Sequence, residues 1–131
     1  MATVLCVDDD KVFRRLLAAE LTRRGHSVLQ AGTASEADKL IARERLDLLL
    51  IDGLLPDMTG VAWLEKLRAG GCETKVLFVT SFWKAMRDFE LVTKMLGVVR
   101  LLRKPLRVTE VADSIDAALS VEGPGANVGS A

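Results

Sequence analysis

Histidine is all but missing from this chain, at one in 131 residues, and tyrosine is missing altogether. The lone His26 follows Gly25 in a polar turn and is expected at the surface, as neither catalytic base nor metal ligand. Cysteine occurs twice, at Cys6 inside an apolar run and at Cys72 in a glycine-rich connection, a spacing that suits neither a thiolate metal site nor a redox pair. Both are expected as free thiols, with Cys6 in the core. Neither sign of charge is in excess, because 18 Lys and Arg stand against 18 Asp and Glu. That balance gives no electrostatic footprint for direct nucleic-acid binding or for an anionic membrane. No apolar run approaches the roughly 20 residues of a membrane span, and the amino terminus has no basic segment ahead of a signal-type core. A cytoplasmic protein is expected, folded as one domain, since 131 residues are enough to bury one core.

What the chain does have is four short apolar runs that each lead to a reactive polar residue. Residues 3–7 run into Asp8, Asp9 and Asp10, residues 48–51 into Asp52, residues 76–79 into Thr80 and Ser81, and residues 98–102 toward Lys104 and Pro105. Ligands of an open parallel sheet bind beyond the carboxyl ends of its strands, so these ends should converge. Three carboxylates, a hydroxyl and an ammonium then share one cleft. Such a set can hold a divalent metal, neutralise phosphoryl oxygens and supply a carboxylate nucleophile. Asp10 is expected to have the plainer task of capping the helix that starts near Val12.

Helical periodicity fills the gaps between strands. Phe13, Leu16, Leu17 and Leu21 form one apolar stripe, with Arg14, Arg15, Arg23 and Arg24 on the wet side. Residues 27–30 read as a short strand and residues 34–45 as a helix burying Ala37, Leu40 and Ile41. A third helix starts near Thr59, buries Val61, Leu64 and Leu67, leaves Trp63 half exposed, and stops at Gly70 and Gly71. A fourth, from about Lys84, buries Ala85, Phe89, Val92 and Leu96 and stops at Gly97; the last covers residues 108–119. Because residues 48–51 and 76–79 are apolar on both faces, the sheet should be parallel and covered on each side. The predicted fold is α/β, a doubly wound five-stranded parallel sheet in the order 2-1-3-4-5 with five helices, flavodoxin-like in its winding. Asp8, Asp9 and Asp52 fall at its switch point. Residues 1–120 form the domain, and residues 121–131, mostly Gly, Ala, Ser, Pro, Asn and Val, suit a flexible tail or truncated linker.

An acidic pair after strand one, an Asp after strand three, a Thr after strand four and Lys-Pro after strand five, in this order, resemble the response regulator receiver family over residues 3–119. The stretch from Ile51 to Gly60, with Asp52, Pro56 and Gly60 in it, resembles the family's phosphoacceptor loop. The resemblance implies a receiver of a two-component phosphorelay, with Asp52 taking a phosphoryl group from a histidine kinase or phosphotransfer protein. It also implies Mg²⁺ held by Asp8, Asp9, Asp52 and the backbone carbonyl of Leu54, with Thr80 and Lys104 contacting phosphoryl oxygens. Any catalysis would be Mg²⁺-dependent self-phosphorylation and autodephosphorylation. The output would go to another protein or domain through a face that includes Leu91 and Leu101, where a homodimer of helix four, strand five and helix five would also form.

Three departures from the family pattern bear on output and lifetime. Leu101 stands where an aromatic switch residue is usual, and Val99 and Arg100 stand where acidic residues often follow the Gly-Ala of strand five. Leu54 and Phe82 put apolar side chains at positions that admit or exclude the attacking water, which should slow loss of the phosphoryl group. The rival reading is a pseudo-receiver, a phosphorylation-independent protein-interaction module with the same fold. The five site residues argue against it, and the missing aromatic argues for it. A phosphatase of the haloacid-dehalogenase type would use Asp8 and Asp10, yet no later acidic pair follows Lys104 and Asp52 would be idle. A flavin-binding module is a weaker reading still, because carboxylates in the first strand-helix turn would repel a phosphate.

Overall fold

The computed structural model describes residues 1–81 and 93–120. The strands are β1 (Thr3–Val7), β2 (Ser27–Ala31), β3 (Leu48–Asp52), β4 (Lys75–Thr80) and β5 (Val98–Arg103). Helices α1 (Lys11–Arg23), α2 (Ala34–Ile41), α3 (Gly60–Ala69) and α4 (Val108–Leu119) connect or follow them. Every strand pairing is parallel, in the order β2-β1-β3-β4-β5, so the doubly wound sheet predicted from the apolar runs is the one observed. The helix expected from about Lys84 lies largely outside the described residues, but its end is seen as helical residues 93–95 ahead of Gly97 at φ 74°. The expected tail also lies outside them.

Successive strand residues point to opposite faces, and this sorts the core into two layers. Cys6, Leu48, Leu50, Leu77 and Val79 face α1 and α4, where they meet Leu17, Leu21, Val111 and Ile115. Leu5, Leu49, Ile51, Val76 and Phe78 face α2 and α3, where they meet Ala37, Trp63 and Leu64. Each residue of β3 and β4 is buried, which explains why their sequences are unbroken apolar runs and not alternating ones. Polar residues stand only at the strand ends: Asp52 and Thr80 close β3 and β4, and Lys75 opens β4, its ammonium donating to the carbonyl of Ala118 at 2.7 Å. On the edge strand β5 the register slips at Val99, since Val76 pairs with Val98 and Leu77 with Arg100. Such a bulge blunts an exposed edge.

Local chemistry starts the helices where the sequence suggests. Asp10, Thr33 and Thr59 accept from the N–H groups of Phe13, Glu36 and Ala62, at 3.1, 3.0 and 3.1 Å. Arg107 has no acceptor to offer α4, and Glu110 instead reaches back to the Arg107 N–H at 3.0 Å.

Four expectations are corrected. The helix read over residues 34–45 ends at Ile41, because Arg43, Glu44 and Arg45 have no apolar face to bury while Leu46 packs against the core ahead of β3. Leu16 is 56% exposed. At about 100° per residue the buried sector of α1 is centred on Leu17, Ala18 and Leu21, and that sector contains Arg14 but not Leu16. Trp63 is fully buried, because its indole N–H donates to Asp38 of α2 at 2.8 Å and so needs no water. His26 is not a free surface residue. Its Nδ1 accepts from the Ala2 N–H at 3.3 Å, which leaves the proton on Nε2 to be donated to Asp116 of α4 at 2.7 Å. Arg24 joins the same carboxylate at 2.9 Å, tying the foot of α1 to α4.

Candidate functional site

The carboxyl ends of β1, β3, β4 and β5 bring together the residues singled out from the sequence. Asp52 and Thr80 are the last residues of β3 and β4, Asp8 and Asp9 follow β1, and Lys104 follows β5. One oxygen from each of Asp8, Asp9 and Asp52 can be chosen so that all lie within 4.8 Å of one another. Lys104 Nζ donates to Asp8 Oδ2 at 2.8 Å and stands 3.9 Å from Asp52 Oδ2. It also lies 4.8 Å above the ring of Phe13, so the cation has an aromatic floor as well as a carboxylate partner. The Lys104–Pro105 peptide is cis.

Backbone contacts aim each group. The Asp8 N–H donates to Ala31 of β2 at 3.0 Å, and Asp8 Oδ1 accepts from the Asp10 N–H at 2.8 Å. Lys104 is set by its own N–H, which donates to the Thr80 carbonyl at 2.8 Å. Thr80 is fully buried at the floor of the site. After Asp52 the chain makes a tight loop closed by Gly60 N–H on Gly53 O at 3.0 Å and Leu55 N–H on Met58 O at 3.1 Å. These bonds use the carbonyls of Gly53 and Met58 and not that of Leu54, whose N–H donates to Asp52 Oδ1 at 3.3 Å. Gly60 is required by contact: a Cβ there would sit 2.4 Å from the Asp52 carbonyl oxygen.

The loop has a second anchor that sequence reasoning missed. Asp57 accepts from the N–H groups of Ala34 and Ser35, both at 3.0 Å, so a carboxylate from the Asp52 loop caps α2. The Ala34 and Ser35 N–H groups hold its pKa below the usual carboxylate value. The only signal for it in the sequence is an Asp in a Pro-containing loop, which does not say which helix it meets.

The electrostatics follow from burial. Desolvation first, and then the charge of Asp8, raise the Asp52 carboxyl to about 7; Lys104 and the Leu54 N–H oppose the rise. For Lys104 burial works against the charge, but the bond to Asp8 and the fields of Asp8 and Asp52 outweigh it and its pKa rises. The thiol of Cys6, fully buried in β1 two residues before Asp8, is pushed by burial up to about 12. A shallow cleft of about 410 Å³ opens over these groups, lined by Asp9, Asp52, Leu54, Pro56, Ser81 and Lys104. Three hard carboxylate oxygens with one opposing ammonium suit an oxygen-ligated cation such as Mg²⁺ better than a soft metal. Of the residues expected on the output face, Leu91 lies outside the described residues. Leu101 is half-buried against the core, and among the described residues Met95 and Val99, close to it in sequence, are exposed.

Beyond the carboxyl ends of its strands the doubly wound sheet gathers three carboxylates with the Lys104 ammonium beside them, a donor set that suits a divalent cation. Residues 4–116 match the response regulator receiver domain, and the chain belongs to that family. It is 28% identical over 112 residues to sporulation initiation phosphotransferase F of Bacillus subtilis, covering 86% of this chain and 89% of that protein. It is 31% identical over 121 residues to the probable transcriptional regulatory protein TcrX of Mycobacterium tuberculosis, covering 92% of this chain. The chain spans about half of that regulator, 51% of its length. A CheY-like response regulator receiver domain protein from Methanospirillum hungatei superposes with a TM-score of 0.83 at 28% identity, over 92% of this chain and 94% of that one. No helix among the described residues is long and apolar enough to cross a membrane.

Proposed function

We propose that this domain accepts a phosphoryl group on Asp52 from a histidine kinase or phosphotransfer protein in the cytoplasm, and thereby switches a protein-protein interaction face. The observation that carries this reading is the convergence of Asp8, Asp9 and Asp52 within 4.8 Å beside Lys104. In the transfer, an Asp52 carboxylate oxygen forms the new O–P bond as the N–P bond of a phosphohistidine breaks and the imidazole leaves with the electron pair. Asp8, Asp9, Asp52 and the Leu54 carbonyl would hold Mg²⁺. When bound, that ion supplies charge neutralisation to the phosphoryl oxygens. Lys104, 3.9 Å from Asp52 Oδ2, pairs with one of those oxygens, and Thr80 bonds another. Positioning and charge do most of the work, because little covalent assistance is needed for in-line transfer.

The acyl phosphate adds roughly two negative charges by analogy with other phosphorylated side chains. It biases whichever arrangement of Thr80 and the strand-five face binds it better. Half-buried Leu101, in register with Phe78 on β4, has no ring to swing, so output passes through a different contact surface on that side. The same observation favours a second reading, a pseudo-receiver that binds its partner without phosphate. Intact-protein mass after incubation with acetyl phosphate separates the two. A single Mg²⁺-dependent phosphoryl adduct supports the phosphoacceptor; no adduct from acetyl phosphate or from a phosphorylated histidine kinase supports the pseudo-receiver. An output domain following residue 120 or a separate output protein would receive the signal.

A further inference from the structure

Arg14 occupies a place on α1 where the apolar pattern has no use for a cation. It lies in the buried sector with Leu17 and Leu21, and its guanidinium runs along the helix to the end of β1. Nη1 donates to the backbone carbonyl of Asp8 at 2.7 Å, and Nε donates to Gln30 Oε1 on β2 at 3.1 Å. The turn after β2 is shaped to admit it: a Cβ at Gly32 would lie 3.3 Å from Arg14 Nη1 and 3.5 Å from Glu36 Oε1. Glu36 meanwhile accepts from the Gly32 N–H at 2.7 Å, which holds that turn back.

The bond matters because of which carbonyl it holds. The Asp8 carbonyl belongs to the peptide that carries the Asp9 N–H, so fixing it fixes the direction in which Asp9 leaves the strand. Asp8 is secured independently, by Ala31, by the Asp10 N–H and by Lys104. Asp9 is exposed, and among the described residues no hydrogen bond or salt bridge holds its carboxylate, so its backbone sets its direction.

We propose that Arg14 is a positioning residue for the acidic cluster, locking the Asp8–Asp9 peptide against β2 so that the Asp9 carboxylate stays within reach of Asp8 and Asp52 and the cluster keeps its affinity for a divalent cation. This rests on the reading of the cluster as a metal site. Residues that brace a metal ligand without touching the metal typically change affinity about 10- to 100-fold when removed. Mg²⁺ binding to the full chain, followed by titration calorimetry, should weaken about 10-fold in Arg14→Ala. It should weaken less in Arg14→Lys, which keeps a donor for the Asp8 carbonyl, and about 3-fold in Gln30→Ala, which loosens Arg14 from its other partner. With acetyl phosphate as donor, the Mg²⁺ concentration for half-maximal phosphorylation should rise in the same order while the rate at saturating metal is restored. A merely structural arginine would lower thermal stability in EDTA and leave the Mg²⁺ affinity alone. Unchanged affinity in Arg14→Ala, or in Gln30→Ala should the alanine variant fail to fold, overturns the proposal. Wild-type protein that binds no Mg²⁺ at millimolar concentration overturns the metal reading and this proposal with it.

Discussion

Asp52→Asn should make the metal-free protein more stable, although it removes the residue on which the site depends. The carboxyl is 8% exposed, sits beside Asp8 and Asp9, and is raised from its ordinary 3.8 to about 7, chiefly by burial. Because the folded value lies above the unfolded one, the charge of Asp52 carries no penalty below pH 3.8; the penalty grows as pH rises toward 7 and is complete above it. Each pH unit of separation corresponds to about 1.4 kcal/mol, so the full penalty would be about 4 kcal/mol. The cleft is open to water, and solvent screening reduces this to about 2 kcal/mol. For a domain of this size that is a rise of about 8 °C in melting temperature. Thermal melts of both proteins in EDTA from pH 4 to pH 8.5 test it. The Asn variant should lead at pH 8 and the gap should close near pH 4. Millimolar Mg²⁺ should raise the wild type and leave the variant much less affected. A variant no more stable than wild type at pH 8, or a gap that does not narrow on acidification, would mean that burial does not hold the Asp52 carboxyl above its ordinary value.

Gly60→Ala should destabilise the domain by more than about 2 kcal/mol in urea unfolding, since its Cβ meets the Asp52 backbone and not a movable side chain. Trp63→Phe should cost about 2 kcal/mol, from a hydrogen bond to Asp38 worth about 1 and a comparable loss of packing; an unchanged urea midpoint would contradict the burial assigned to it. Glu20, held at about 2 by its bonds to Arg23 and Arg24, has a folded value below its ordinary 4.5, so its contribution is present above pH 4.5 and fades as pH falls toward 2. The melting temperatures of wild type and Glu20→Gln should therefore converge over that window, and added salt should shrink their difference at neutral pH.

The sheet order was legible because β3 and β4 are unbroken apolar runs, which only a doubly covered parallel sheet accommodates. The cleft was legible for the same reason: its groups stand at the ends of those runs, and their proximity follows from the topology. What escaped were contacts made across the chain. An arginine on a helix normally reads as solvated, and nothing local reveals that Arg14 turns toward a carbonyl at the end of β1. Trp63 is buried because Asp38, 25 residues away, satisfies its indole, and His26 is engaged because Asp116, 90 residues away, hydrogen-bonds its ring. Asp57 caps a helix 22 residues before it, a partnership that no local pattern encodes. Polar residues of this kind are placed by tertiary partners, and periodicity records only the apolar side of that bargain.

The most direct test of the phosphoacceptor assignment is to trap the acyl phosphate and locate it. Borohydride reduces an aspartyl phosphate to homoserine, so protein phosphorylated by acetyl phosphate with Mg²⁺, reduced and mapped by peptide mass, records the acceptor position. Homoserine is expected at position 52, dependent on metal and absent from Asp52→Asn. Homoserine at position 8 or 9 with Asp52 intact, or an adduct that survives in Asp52→Asn, would contradict it.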